Sequence, residues 1–286
     1  METQNSSQKK PNSVAVVITT YNDASFLRSA LDSIRSQTRM PDEVIVVDDG
    51  SRKSPVRRLK RYPEVNLIRQ SNQGLSAARN VGLRAAISEF IVFLDADDCL
   101  TPEAVAAGLS ALAANPEAGL VYGAHRRVDA KLKPLGRDRI AAVGTNPFRD
   151  LLTGNIIAMH GAVMYRRKVL CEIGGFDPEL RSCEDYDLYL RLARDYPIAW
   201  HAETVAEYRW HGGNMSRNSE IMLRNVLRVH NRYDNLTGED REAWLVGQRN
   251  WIDYYQGDEA AAAAATQSLS GRWWRRLIAA IGARKA

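Results

Sequence analysis

Short apolar runs alternate with amphipathic stretches through the first half of the chain. Val14-Ala15-Val16-Val17-Ile18-Thr19 ends in polar Thr20-Tyr21-Asn22, and Phe26, Leu27, Ala30, Leu31 and Ile34 then recur at helical spacing. Pro41 closes that unit. Glu43 to Val47 repeat the apolar run and end in Asp48-Asp49-Gly50-Ser51; Pro55 opens a basic helix, and Val65 to Ile68 make a third run. Gly74-Leu75-Ser76-Ala77-Ala78-Arg79-Asn80 begins another helix, which leads to Phe90-Ile91-Val92-Phe93-Leu94 and the acidic Asp95-Ala96-Asp97-Asp98. Runs this short and β-branched, bounded by turn residues, predict buried parallel strands, with crossover helices between them. Thr101-Pro102-Glu103 predicts a helix start, with a capping hydroxyl and proline at the first position. Leu120 to Tyr122 form a fifth run. The alternation predicts an α/β chain with a doubly wound, mostly parallel sheet flanked by helices.

After Gly123 the rhythm changes. Residues 124–160 are polar and irregular, a loop or hairpin covering a site. Ala162 to Tyr165 predict a strand, and Arg167 to Ile173 a short helix stopped by Gly174-Gly175. Glu184 to Arg194 predict a helix with Tyr186, Tyr189, Leu190 and Ala193 on one face, and Val205 to Trp210 a strand ending in His211-Gly212-Gly213. From Ser216 onward the pattern is helical, including the alanine run 260–265. The chain therefore divides into a flexible N-terminus (1–12), an α/β domain (13–217), a C-terminal helical region (218–270) and a basic amphipathic helix (271–286).

Charge changes this picture once it is located. The 286 residues carry 39 bases and 34 acids, a net charge of +5. Residues 271–286 hold five bases and no acid, so the rest of the chain is neutral, which argues against a nucleic-acid-binding face. Three cysteines are too few for a disulfide framework and suit a reducing cytoplasm. The N-terminus lacks the apolar core of a signal peptide, and no apolar run is long enough to span a bilayer.

Three strand ends carry polar signatures, and ligands of open α/β sheets sit beyond such ends. There is no G-x-G-x-x-G after the first strand and no Walker loop. Tyr21 can instead stack on a base and Asp49 accept a ring N–H, although each alone also reads as a packing or turn residue. Asp95, Asp97 and Asp98 repel one another unless a cation or hydrogen-bond donors neutralise them, and hard oxygen ligands suit Mg²⁺ or Mn²⁺. The alternative is an ordinary strand-end turn. Arg79 can pair with a phosphate or hold a base-binding acid, or be a solvated helix residue. Glu184-Asp185 offers a general base at a helix N-terminus, where the macrodipole alone also favours acids. His211 is a candidate metal ligand or phosphate donor.

As an ordered set, Thr19-Thr20-Tyr21-Asn22, Val46-Val47-Asp48-Asp49-Gly50-Ser51, Asn72-Gln73-Gly74 with Ala78-Arg79-Asn80, Phe93-Leu94-Asp95-Ala96-Asp97-Asp98, Glu184-Asp185 and His211 resemble family 2 glycosyltransferases over about residues 13–217. The resemblance implies a GT-A fold and an inverting, metal-dependent transferase, hexosyltransferase-like, that uses a nucleotide-sugar, most often UDP-linked. It implies that Thr19, Tyr21 and Asp49 hold the base with Arg79 near it, and that Asp95 meets the ribose or the phosphate. Asp97 and His211 would hold Mn²⁺ or Mg²⁺, and Ser216 would help hold the diphosphate. Asp185 would be the catalytic base, with Glu184 beside it. Residues 124–160 and the helices after Ser216 would shape the acceptor pocket.

Trp274, Leu277, Ile278 and Ile281 fall on one helical face opposite Arg272, Arg275 and Arg276. Residues 272–285 therefore predict a helix lying on a membrane surface, or else one docked on the domain. A glycan or lipid-linked acceptor in surface polysaccharide or glycolipid assembly would fit the first, with the chain cytoplasmic and peripheral at the membrane. Two rivals remain. A sugar nucleotidyltransferase would need a glycine-rich basic loop where Thr20-Tyr21-Asn22-Asp23 stands. A non-catalytic nucleotide-sugar or glycan-binding module would not need Asp97 and Asp185.

Overall fold

The computed structural model describes residues 10–22 and 25–255. The predicted basic helix at 271–286, the alanine run and most of the predicted flexible N-terminus lie outside the described residues. Two compact units divide the chain. One holds the chain up to Phe148 together with Ile156–His211; the other takes Arg149–Asn155 and the chain from Gly212 onward.

The first unit is built on eight strands: β1 (Val14–Thr20), β2 (Glu43–Asp48), β3 (Val65–Arg69), β4 (Phe90–Asp95), β5 (Cys99–Leu100), β6 (Leu120–Val128), β7 (Val163–Arg166) and β8 (Ile198–Arg209). They form one sheet in the order β3-β2-β1-β4-β7-β6-β8-β5. β3, β2, β1 and β4 run parallel, β6 and β8 are parallel to each other, and β7 and β5 are antiparallel to their neighbours. The register pairs Thr20 with Asp48 and Thr19 with Asp95, so three polar strand ends finish at one rim.

Helices α1 (Leu27–Arg35), α2 (Val56–Leu59), α3 (Leu75–Ala85), α4 (Ala104–Ala114), α6 (Arg167–Glu172) and α7 (Glu184–Asp195) flank the sheet, and α5 (Pro147–Thr153) straddles the two units. Every residue of β1 is buried, and α1 buries Leu27, Ala30, Leu31 and Ile34, the stripe that the helical spacing predicted. Each of the leucines and the isoleucine contributes about 1.5–3 kcal/mol through burial. On α3 a side chain at Gly82 would sit 2.3 Å from Val17 Cγ1. The helix lies this close to β1 because residue 82 has none.

Several elements differ from expectation. The basic helix after Pro55 is only four residues long. Thr101 does not cap α4: its hydroxyl donates to the Thr204 carbonyl at 2.6 Å, and Glu103 stands at the N-cap. That bond ties the chain to β8, next to the two-residue β5 that periodicity cannot reveal. β6 continues to Val128, well past Tyr122. There the chain turns back as a hairpin, with paired backbone bonds between His125 and Arg139 (3.0 and 2.8 Å). β8 begins at Ile198 although Ala202 and Glu203 are exposed. Pairing with β6, with register shifts near Ala124, holds it where apolar alternation is absent.

In the second unit, α8 (Ser219–His230) starts at Asn218, whose Oδ1 accepts the Ile221 N–H. It packs with α9 (Gly238–Tyr255) around the buried His230. The His230 ring stacks on Trp244, its Nε2 donates to the Leu152 carbonyl at 2.8 Å, and burial lowers its pKa to about 4.

Candidate functional site

The turn after β2 is laced shut. Gly50 has φ +81°, and a side chain there would meet the Asn72 amide nitrogen at 2.7 Å, so the turn requires glycine. Ser51 donates its N–H to Asp48, Ser51 Oγ accepts the Asn22 N–H, and Asn22 Oδ1 accepts the Arg52 N–H, which joins the β1 and β2 ends. Asp49 is buried and accepts four hydrogen bonds. Gln70 Nε2 (2.7 Å) and the Gln73 N–H (2.9 Å) reach one oxygen; Asn72 Nδ2 (3.0 Å) and the Gly74 N–H (2.9 Å) reach the other. These fill the lone-pair directions of a carboxylate. A base N–H would reach Asp49 only in place of a side-chain amide, Gln70 or Asn72. Tyr21, 46% exposed, leaves its ring open for stacking.

The rim after β4 is charged. Asp95 Oδ1 accepts from Arg79 Nη2 at 2.8 Å and from Thr19 Oγ1 at 3.4 Å, while Arg79 Nη1 donates to Glu184 Oε1 at 2.6 Å. Arg79 is only 2% exposed, with its guanidinium over the Phe176 ring. It is therefore neither a solvated helix residue nor turned to a base: both ends are taken by carboxylates. Asp97 Oδ2 lies 3.0 Å from His211 Nε2, and the His211 ring packs on Phe26. Burial and the neighbouring Asp95 push the Asp97 carboxyl up. Burial beside Asp97 and Asp95 pushes Asp98 well above the usual carboxylate range, although it accepts the Arg209 N–H at 2.8 Å.

Glu184 and Asp185 open α7 as expected, and Cys183 before them holds a left-handed φ of +61°. Burial, then the charge of Glu184, raises the Asp185 pKa to about 7, against the opposing pull of Arg79. Near them, buried His160 points Nδ1 at the Tyr189 (3.0 Å) and Tyr165 (3.3 Å) hydroxyls and packs on Phe93 and Phe176.

The model of the glycosyl transferase family 2 matches residues 15–174, more than half of the chain. The chain belongs to glycosyl transferase family 2. It is 35% identical over 197 residues to the Bacillus subtilis glycosyltransferase YwdF, covering 65% of this chain and 69% of that one. It is 29% identical over 227 residues to the Escherichia coli chondroitin synthase, covering 76% of this chain but only 32% of the synthase. A Haemophilus influenzae glycosyltransferase, 29% identical, is covered over 62% of its length. The fold matches S. aureus TarS residues 1–349 in complex with UDP-GlcNAc (TM-score 0.66, 20% identity, 94% of this chain and 80% of that one). It also matches Pyrobaculum calidifontis mannosyltransferase PcManGT with GDP-Man and Mn²⁺ (TM-score 0.65, 20% identity, 96% and 80%). The fold is GT-A.

The family 2 chain brings Thr19, Asp95, Arg79 and Glu184 into one bonded set and pairs Asp97 with His211. Asp49 stands apart in its own bonded turn, and Ser216 belongs to the second unit. Among the described residues no three His, Cys, Asp or Glu side chains gather tightly enough to hold a metal by themselves. The Asp97–His211 pair nonetheless fits a Mg²⁺ or Mn²⁺ that takes its other ligands from water and substrate phosphate. Its carboxylate oxygen and imidazole nitrogen lie 3.0 Å apart, and a carboxylate with a neutral imidazole is a donor set such a divalent cation accepts. The sequence reading missed Arg209 and His160. Arg209 ties Asp98 to β8 and lies over Phe26, and an arginine inside a strand was its signal. His160 had no signal, since its aromatic partners come from four separate segments.

Proposed function

We propose that this family 2 chain is an inverting glycosyltransferase that moves a sugar from a UDP-linked donor to an acceptor hydroxyl. The observation that carries the reading is Asp185, whose carboxyl burial lifts to a pKa of about 7 at the start of α7, beside the Asp95–Arg79–Glu184 set. A base poised at this pKa is ionised in part at neutral pH and still holds a proton well. Asp185 takes the acceptor proton as the hydroxyl oxygen attacks the anomeric carbon opposite the diphosphate, so the configuration inverts. Glu184, pinned by Arg79, holds the helix start in place. Tyr21 stacks on the base, Thr19 and Asp95 face the nucleoside, and Asp49 takes a base N–H in place of the Gln70 or Asn72 amide. Asp97 and His211 would hold Mn²⁺ or Mg²⁺, which supplies charge neutralisation for the leaving diphosphate. The UDP-GlcNAc complex of the structurally similar TarS supports the choice of donor class.

The chain spans about two thirds or less of several relatives' lengths, so acceptor and place of work are proposals too. We place it at the cytoplasmic face of a membrane, working on a glycan or lipid-linked acceptor in surface polysaccharide or glycolipid assembly. Among the described residues no helix is long and apolar enough to cross a membrane.

A panel of sugar nucleotides, assayed for nucleotide release with Mn²⁺ or with a chelator, tests the reading. Metal-dependent release from a UDP-sugar, abolished by both Asp97→Ala and Asp185→Ala, is expected. Full transfer by Asp185→Ala would overturn the base assignment.

A further inference from the structure

The near-neutral charge of the chain before residue 271 hides a second basic segment. Residues 125–140 hold six bases (Arg126, Arg127, Lys131, Lys133, Arg137, Arg139) and two acids (Asp129, Asp138). Both acids are engaged. Arg126 forks onto Asp138 at 2.6 and 2.9 Å, and Asp129 accepts the backbone N–H groups of Lys131 and Lys133 at 2.8 and 2.9 Å. Glu207 of β8 sits in register with Arg126, which answers that charge. Arg127 lies over Trp210. Lys131, Lys133, Arg137 and Arg139 are all exposed and make no ion pair among the described residues.

Apolar side chains stand among these cations. Leu135 is 53% exposed and Ile140 40%. β8 pairs Trp200 with Tyr122, whose hydroxyl donates to the Ala141 carbonyl, so exposed Trp200 flanks the returning arm of the hairpin. Backbone bonds between 125 and 139, 127 and 135, and 129 and 133 make the hairpin an ordered element. Its base is one residue from the rim, since the Trp210 N–H donates to the Val128 carbonyl at 2.8 Å and His211 follows.

We propose that the 125–140 hairpin, with Trp200 beside it, docks this chain on an anionic lipid surface. Unpaired lysines and arginines are drawn to phosphate headgroups, and leucine, isoleucine and tryptophan among them partition into the interfacial layer. A purely polyanionic polymer would use the cations but gains nothing from the three apolar side chains, which is why lipid is favoured. The surface acts independently of any basic tail, and its contact needs no donor, so it stands or falls apart from the proposed chemistry.

The test uses the full chain with vesicles of phosphatidylcholine alone or with added phosphatidylglycerol. Binding confined to the anionic vesicles is expected. Changing Lys131, Lys133, Arg137 and Arg139 together to Gln should weaken it at least tenfold at low salt, and Leu135→Ser with Ile140→Ser should weaken it several-fold. Brominated lipid should quench tryptophan fluorescence less in Trp200→Phe than in the parent. A thermal midpoint equal to the parent's confirms that the Gln variant folds; if it does not fold, Lys131→Glu with Lys133→Glu at the hairpin tip carries the same expectation. Undiminished vesicle binding by the charge variant overturns the proposal. So does loss of binding to soluble polyphosphate with lipid binding unchanged, which would assign the hairpin to a polymer.

Discussion

The turns after β2 and β4 both present carboxylates at the same rim, and their surroundings are opposite. Asp49 is met by four neutral N–H donors drawn from its own side of the sheet. Asp95, Asp97 and Asp98 crowd one another, and Arg79, His211, the Thr19 hydroxyl and the Arg209 backbone N–H answer them. Neutral donors fix a shape without adding charge, so the β2 turn is finished as it stands. The β4 rim gathers negative charge, and burial first, with the neighbouring carboxylates second, pushes Asp97 and Asp98 up. A rim under such repulsion gains most from an arriving cation. One turn is a mould shaped by neutral donors, and the other is a cluster of carboxylates that only cations and hydrogen-bond donors hold together.

The sharpest break in this comparison lies where the charged rim meets α7. Asp185→Asn should lower kcat by about 10²–10⁴ with little change in donor KM, because it removes proton transfer and leaves the nucleotide contacts alone. In the parent, kcat should climb with pH through about 7, the limb reporting Asp185. Stability should move the other way. The folded carboxyl keeps a proton that the unfolded one loses near pH 4, so melting temperature should fall as pH rises from about 4 to about 7. Flat stability across that window in the parent, or an unchanged slope in Asp185→Asn, would contradict the raised pKa.

Arg79→Leu is expected to come next. It leaves Glu184 buried and Asp95 half-buried without their shared cation, and should cost about 3–5 kcal/mol by urea unfolding. Arg79→Lys should recover only part of this, since an ammonium cannot reach both acids in the guanidinium's fork geometry. The smallest effect belongs to the mould. Asp49→Ala frees four donors that water can largely satisfy at the rim, so a loss of about 1–3 kcal/mol is expected. A loss as large as that of Arg79→Leu would erase the distinction between the two turns.

Much of this was legible beforehand because it rests on local pattern. The apolar runs of β1, β2 and β4 are continuous and stop at polar residues, and α1 shows a clean helical stripe; α7 is buried on more than the expected face, from Tyr186 through Leu190. Asp97, His211 and Glu184-Asp185 could be put at strand and helix ends from those runs, whereas joining Asp97 to His211 came from the family resemblance. Arg79 did not, because its partners lie 16 and 105 residues away and burial cannot be read from a lone arginine on a helix. β5 and the first half of β8 were hidden for a related reason: pairing with distant strands, rather than their own alternation, makes them strands. At 124–160 the sequence left loop and hairpin open, since polar residues look alike whether or not the backbone is paired; the bonds between His125 and Arg139 decide for the hairpin.

The guanidinium of Arg79 has a consequence for how the protein is made. By the time β4 leaves the ribosome, the cation and one of its acids exist, but the other acid is still untranslated. In the emerging first half only Asp95 can hold the guanidinium, and the buried Nη1 end gains its partner once Glu184 of α7 is made. Fragments cut between the two halves should fold only when supplied together.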